Sequence, residues 1–170
     1  MVKITLPKFN YKQLPWQEED NVSSHGRAKE FEEQNALYRR VGYTSENTTY
    51  FRAFAVTNDI HDFCKTLFPR YSVGIMKQPP GQTLPSHEDT FFKFAKEHDV
   101  DPYECIRVNI FLEDWQSGHY FEINENSVLY WKQGDAIIIA KGEPHLSGNM
   151  GLTNKYTMQV TGVRNEFTRC

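Results

Sequence analysis

A chain of 170 residues, 39% apolar and 24% charged, is long enough to bury a proper core and has the composition of one soluble globular domain. Its formal net charge of −3, with no stripe of Lys or Arg, argues against a nucleic-acid partner, because phosphate binding needs clustered positive charge. No apolar run reaches the length of a membrane span, and the start, MVKITLPKFN, lacks the apolar core of a signal peptide. No membrane association is therefore expected. Cys64, Cys105 and Cys170 form no close pair and are expected to be free thiols of a reducing compartment, with the cytoplasm as the expected location.

In chain order, VKITL reads as a short β start followed by a polar stretch to residue 24. Residues 27–40, RAKEFEEQNALYRR, are good helix formers. A clearer helix is predicted over 57–68, where Ile60, Phe63, Cys64 and Leu67 recur at i, i+3, i+4 and i+7. Thr57 or Asn58 can cap its start, and Pro69 ends it. From residue 71 the period changes to two. YSVGIMKQ, ECIRVNIFLE, HYFEIN, SVLYW, DAIIIA and NKYTMQVTGV are β-branched or aromatic runs separated by the turn signals QSG, NEN and KQGD. Between them, residues 90–103, TFFKFAKEHDVDPY, read as a short helix or a lid-like loop. The aromatic content of 14% suits such a β-rich chain. The expectation is one α+β domain, mainly β: an N-terminal strand and helices over 1–69, a barrel or double sheet over 70–163 and a tail over 164–170.

Of six histidines, His61 lies on the amphipathic helix beside Asp62 and reads as packing or surface, while His25 and His98 sit in polar stretches without a partner pattern. His87, His119 and His145 remain. In LPSHEDTFF, residues two apart on an extended strand point to one side, so His87 and Asp89 can face one metal ion with Glu88 turned away. Alone, such a pair is more often a solvated turn. His145, just after the buried run DAIIIA, is the best third ligand, completing two His and one carboxylate with open positions, an arrangement suited to non-haem Fe(II).

Two cations add to this. Lys155 shares one face of the last strand with Thr157, Gln159 and Thr161, opposite Tyr156, Met158 and Val160. Arg107 shares a face with Asn109 and Phe111, opposite Ile106, Val108, Ile110 and Leu112. Either the two cations face solvent or, if inward, they need an anion, with Lys155 at the mouth of a pocket for a carboxylate.

The frame HED, IRVNIFLED, GHYFEI, YWKQGDAIII, PHLSGN and KYTMQVTG resembles the Fe(II)/2-oxoglutarate-dependent oxygenases, which share a double-stranded β-helix, or jelly-roll, core. Within that superfamily it looks most like the aspartyl/asparaginyl β-hydroxylase branch, over about residues 70–163. The resemblance implies His87, Asp89 and His145 as iron ligands and Lys155 as the partner of the distal carboxylate of 2-oxoglutarate. It also implies Arg107 near the cofactor or substrate, and Asn109 near the oxygen site. The implied chemistry uses Fe(II), 2-oxoglutarate and dioxygen to hydroxylate an unactivated C–H bond of a small molecule, such as an amino acid, or of a peptide. Two alternatives stay open: a cupin-type metalloenzyme that does not use 2-oxoglutarate, with His119 joining His87 and His145, and a non-catalytic jelly roll that binds or serves structure.

Overall fold

The computed structural model describes residues 1–22, 32–54 and 56–168. The first third holds β1 (Val2–Lys3), a 3-10 turn at Tyr11–Gln13, β2 (Gln17–Asp20), α1 (Glu32–Arg40), α2 (Ser45–Thr48), β3 (Thr49–Ala53) and α3 (Asn58–Leu67). There follow β4 (Tyr71–Gln78), β5 (Gln82–His87), α4 (Phe92–His98), β6 (Cys105–Phe111), β7 (His119–Ile123), β8 (Asn126–Val128), β9 (Asp135–Ala140), β10 (His145–Asn149) and β11 (Lys155–Val163). The helix expected over 27–40 is seen from Glu32; its residues 27–31 lie outside the described residues. Among the described residues no helix is long and apolar enough to cross a membrane.

The strands from β4 onward are shared between two antiparallel sheets, with the order β9-β6-β11-β4 in one and β5-β10-β7-β8 in the other, and only β7 and β8 follow one another in the same sheet. This is the double-stranded β-helix, or jelly roll, with helices packed on it. β1 extends the first sheet beyond β9, and β3 and β2 extend it beyond β4, to seven strands.

The two-residue period of β6 and β11 divides the large sheet. Tyr156, Met158 and Val160 join Ile106, Val108, Ile110 and Leu112 on the outer face, where Ile4, Leu14 and the α3 residues Ile60, Phe63, Cys64 and Leu67 cover them. At about 1.5–3 kcal/mol for each fully buried aliphatic side chain, this outer layer is the main source of hydrophobic stabilisation. α3 stops where Phe68 turns extended ahead of Pro69, as the residue before proline is biased to do. The opposite face of the large sheet looks into the space between the sheets. One part of that space is filled by Phe111, Phe121, Trp131, Ile137 and Ile139, with Phe111 stacked on Trp131 at 4.0 Å between ring centroids.

Within residues 90–103, Phe92–His98 form a short packed helix. Phe91, Phe94 and Ala95 close on Cys105 and Val163 in a small cluster of their own, while Phe92 is exposed. Four strands had no clear signal. β2 (QEED) is a polar edge strand, β3 lies in the mixed first third, and β5 and β10 lie in segments rich in Pro, Gly and Ser.

The turn before β9 shows what holds the N-terminus on. Gly134 has φ +84° and sits against the carbonyl of Ile4, whose N–H donates to Gly134 O at 2.8 Å. An added Cβ would collide with that carbonyl oxygen, whereas at Gly142, φ +82°, it would meet nothing. Gly142→Ala is expected to cost only the left-handed backbone penalty, about 1–2 kcal/mol. Gly134→Ala should cost about 2–4 kcal/mol by adding displacement of β1. Denaturant unfolding of the two variants checks the difference, and equal costs would show that the Ile4 contact is unimportant.

Candidate metal centre

β5 and β10 are neighbours in the small sheet, and His87 stands directly opposite His145. The ladder then slips: Ser147 pairs with Leu84, so three steps on β5 match two on β10. The extra residue falls at Leu84-Pro85-Ser86, where Pro85 has no N–H to give to a ladder. Leu84 and Pro85 are consecutive and both buried, which breaks the alternation and hides the strand from a period-two reading.

The bulge also orients the imidazole. His87 Nδ1 lies 2.7 Å from Pro85 O, and His145 Nδ1 lies 2.9 Å from Glu143 O. A carbonyl only accepts, so both Nδ1 atoms carry a proton and Nε2 is the atom left to ligate. Burial holds the pKa of His87 well below the ordinary imidazole value, so it is neutral at ordinary pH. A neutral imidazole is the form that ligates a metal.

Asp89 completes the group. It is buried while Glu88 is exposed, as the alternation requires. Its Oδ1 accepts from Arg107 Nη1 at 2.8 Å; its Oδ2 is buried, has no hydrogen-bond partner and lies 3.9 Å from His145 Nε2. One ligand atom from each of His87, Asp89 and His145 falls within 4.8 Å of the others. A buried carboxylate oxygen without a partner costs about 1–3 kcal/mol or more. A cation shared with the two Nε2 atoms would supply the partner that no described protein group provides, so the residues fit a metal ion. Two imidazoles and one carboxylate suit first-row metals such as Fe(II).

Arg107 is largely buried, and burial lowers its pKa while Asp89 opposes the shift. Its guanidinium also lies 5.7 Å from the Phe91 ring centroid. Phe91 has φ 54°, a left-handed backbone that a non-glycine residue adopts at a cost of about 1–3 kcal/mol. The turn that leaves Asp89 is thus held in place by a buried ring and by the arginine.

The remaining candidates fall in different places. Lys155 is not at a mouth: it is 4% exposed, and its Nζ donates to Tyr120 O at 2.6 Å, to Ser147 Oγ and to Gly148 O at 3.4 Å. It faces the Trp131 ring at 5.8 Å and has no carboxylate partner among the described residues. Burial pushes its pKa down to about 7. Arg107 pairs across the ladder with Thr161, six residues along β11 from Lys155, or roughly 20 Å at ~3.3 Å per residue. The two cations therefore do not flank one anion; the anion of Arg107 is Asp89. Asn109 faces the same inter-sheet space, 1% exposed, with Nδ2 unpartnered.

His119 is buried, pairs with Asn149 and lies near Thr153 O at 3.2 Å. It is four positions along β10 from His145, about 13 Å, and is no part of the ligand group. A three-histidine centre is not formed. His61 meets Tyr71 OH at 2.9 Å and the His98 ring packs on Phe94 at 4.4 Å, both as packing residues, while His25 is outside the described residues. The residues that sequence reasoning missed are Ser147 and Tyr120, which cage Lys155, and the β3 pair Tyr50 and Arg52. The alternation of TYFRA was a faint signal for the latter.

No protein-family model and no curated protein matches the sequence. Among solved structures, a predicted oxalate decarboxylase from Thermotoga maritima is 18% identical, with a TM-score of 0.45 over 68% of this chain and 81% of that one. KdgF from a Halomonas species is 10% identical, TM-score 0.44, over 68% and 79%. The cupin domain of Schizosaccharomyces pombe Cnp3 is 13% identical, TM-score 0.44, over 72% and 74%. At these values the likenesses say nothing of metal, substrate or reaction. The strand topology and the ligand group themselves define a jelly-roll protein of cupin-like architecture with a candidate metal centre.

His145→Ala should abolish tight divalent-metal uptake, and Arg107→Met should weaken it by about 10–100-fold, the usual effect of losing the partner that orients a ligand. His119→Ala should leave it unchanged. Anaerobic competition titration with a chromophoric chelator measures all three, and unchanged affinity in Arg107→Met would show that the arginine does not orient Asp89.

Proposed function

We propose that this protein is a non-haem Fe(II)- and 2-oxoglutarate-dependent oxygenase that hydroxylates an unactivated C–H bond of an amino acid or a peptide side chain. His87, Asp89 and His145 are the iron ligands in this reading. The observation that carries it beyond a bare metal centre is Lys155: a buried ammonium in a cage of neutral oxygens, on the inner face of β11 between the sheets. A buried cation without an anion is costly, and the distal carboxylate of a dicarboxylate co-substrate relieves that cost. A metal centre that uses no anionic co-substrate has no need of such a lysine.

When bound, Fe(II) with 2-oxoglutarate and dioxygen supplies the oxidising chemistry: one oxygen atom enters the substrate as hydroxyl, the other ends in succinate, and carbon dioxide leaves. The chain's own contribution is positional. His87 enters as a neutral donor, and the carbonyls of Pro85 and Glu143 hold the Nδ1 atoms of His87 and His145 so that Nε2 of each ring faces the centre. Arg107 fixes one oxygen of Asp89 and leaves the other directed at the imidazoles. The stacked Phe111 and Trp131 and their neighbours keep water from the space beside Lys155.

Lys155 gives the reading a pH signature. Its folded pKa of about 7 lies below the ordinary value of 10.5, so at pH 8–9 the ligand-free amine is largely neutral. A carboxylate favours the charged form and raises that pKa. Co-substrate binding above pH 7 therefore takes up a proton, and affinity falls as pH rises through the window from about 7 upward.

Two measurements test the reading. Anaerobic addition of Fe(II) and 2-oxoglutarate should give a weak visible charge-transfer band that is lost or much weakened in Asp89→Ala. Its absence in wild type with iron demonstrably bound would favour a metal-binding jelly roll that does not use 2-oxoglutarate. Titration calorimetry at pH 8 in buffers of different ionisation enthalpy should show proton uptake with 2-oxoglutarate. Lys155→Met should lose that uptake and weaken binding by ~30-fold or more, the cost of removing one partner of a buried charge pair. Unchanged affinity would remove Lys155 from the co-substrate site.

A further inference from the structure

β3 brings a second arginine to the inner face of the large sheet. Arg52 pairs in the ladder with Met76 of β4 and Gln17 of β2. Met76 packs with Tyr50 and with Leu84 of the opposite sheet, so the side chains of this row point into the space between the sheets. There the Arg52 guanidinium lies 5.4 Å from the ring centroids of both Tyr50 and Phe54. Gly74, the next inner position of β4, contributes no side chain; a Cβ there would touch Arg52 Cδ and the Phe54 ring at 3.7 Å.

This guanidinium is held but not satisfied. Its one ion pair is with Glu19 Oε2 at 3.8 Å, beyond hydrogen-bond distance, and it donates no hydrogen bond among the described residues. Glu19 Oε2 already accepts from Tyr50 OH at 2.7 Å. Leu84, against which this row packs, lies three residues before His87 on β5, so the row faces the same inter-sheet space as the metal group. With 23% of its side chain exposed, Arg52 lies where an incoming ligand can reach it.

We propose that Arg52 anchors a carboxylate of the substrate, so that the compound oxidised at the His87–Asp89–His145 centre is an acidic one: an amino acid or peptide presenting a free carboxylate. Two rings hold the planar fork in place before binding, and a carboxylate matches that fork with two parallel hydrogen bonds. The nearby Glu19 disfavours a dianion such as phosphate and suits a single negative charge. Lys155 is not the competitor for this group, because it lies deeper in the fold, caged by Tyr120 O and Ser147. The substrate role rests on the oxygenase reading given above; the anion site itself does not.

The test uses protein loaded with Mn(II), which carries out no oxidation, with and without 2-oxoglutarate. The probes are matched acid and amide pairs: N-acetyl-aspartate α-amide against N-acetyl-asparagine amide for a side-chain carboxylate, and N-acetyl-alanine against N-acetyl-alanine amide for a terminal one. Inorganic phosphate is a further arm. Paramagnetic relaxation of probe protons by Mn(II) reports binding beside the metal. At least one acid probe should be relaxed and its amide not; Arg52→Met should weaken that binding by about tenfold or more, and Arg52→Lys should restore part of it. Mn(II) and 2-oxoglutarate affinities should stay at the wild-type level in both variants. The proposal is overturned if no acid is preferred over its amide, if Arg52→Met leaves the preference intact, if phosphate binds more tightly than either acid, or if the variant weakens 2-oxoglutarate instead. A wild type that binds no 2-oxoglutarate yet shows Arg52-dependent relaxation by an acid defeats the oxygenase reading and upholds the anion site.

Discussion

Side chains alternate across β6 and β11, and this two-residue period gives these two strands one apolar and one largely polar face. Ile106, Val108, Ile110, Met158 and Val160 must go somewhere dry, and α3 with the N-terminal segment provides that place on the outside of the jelly roll. The main hydrophobic core therefore does not lie between the two sheets. That frees the space between them for Arg107, Asn109, Lys155, Thr157 and Thr161, which no ordinary core could hold. A one-residue slip of β11 against β6 would exchange the two faces and remove core and site together.

The charges in that space are handled in three physically different ways. Asp89 has an internal counter-ion, Arg107, for one oxygen and none for the other. Lys155 has only neutral acceptors, and burial drives its pKa to about 7. Arg52 has aromatic faces and a distant carboxylate. Each arrangement is incompletely compensated: Asp89 has one oxygen without a partner, and the proposed readings assign an anion to Lys155 and another to Arg52. A structure built for stability alone would satisfy such groups internally or replace them with apolar ones.

Backbone irregularity flanks the ligands and aims them. The bulge at Pro85 turns His87 so that its Nδ1 reaches Pro85 O, and the left-handed Phe91 turns the chain into α4 just after Asp89. Regular β5 pairing continued through Asp89 would place successive side chains by period alone, without the carbonyl that selects the tautomer. The small α4 cluster around Phe94 and Cys105 stabilises this departure from regular strand.

Local periodicity carries part of this structure. The stripe Ile60, Phe63, Cys64 and Leu67, the strands β4, β6, β9 and β11, and the outward Glu88 follow from periods of 3.6 and two, whereas the same period left open whether Arg107 and Lys155 face inward. His87, Asp89 and His145, singled out by residue type and alternation within short segments, stand together in the structure. β5 and β10 were illegible because a bulge and a proline break the very period used to find strands. That Arg107 serves Asp89 and not a bound anion, that His119 stands apart, that Lys155 is deep, and that Arg52 enters the site at all were decided by the tertiary structure alone. Each depends on which strands become neighbours and in what register, and those pairings join residues tens of positions apart through contacts that no local pattern encodes.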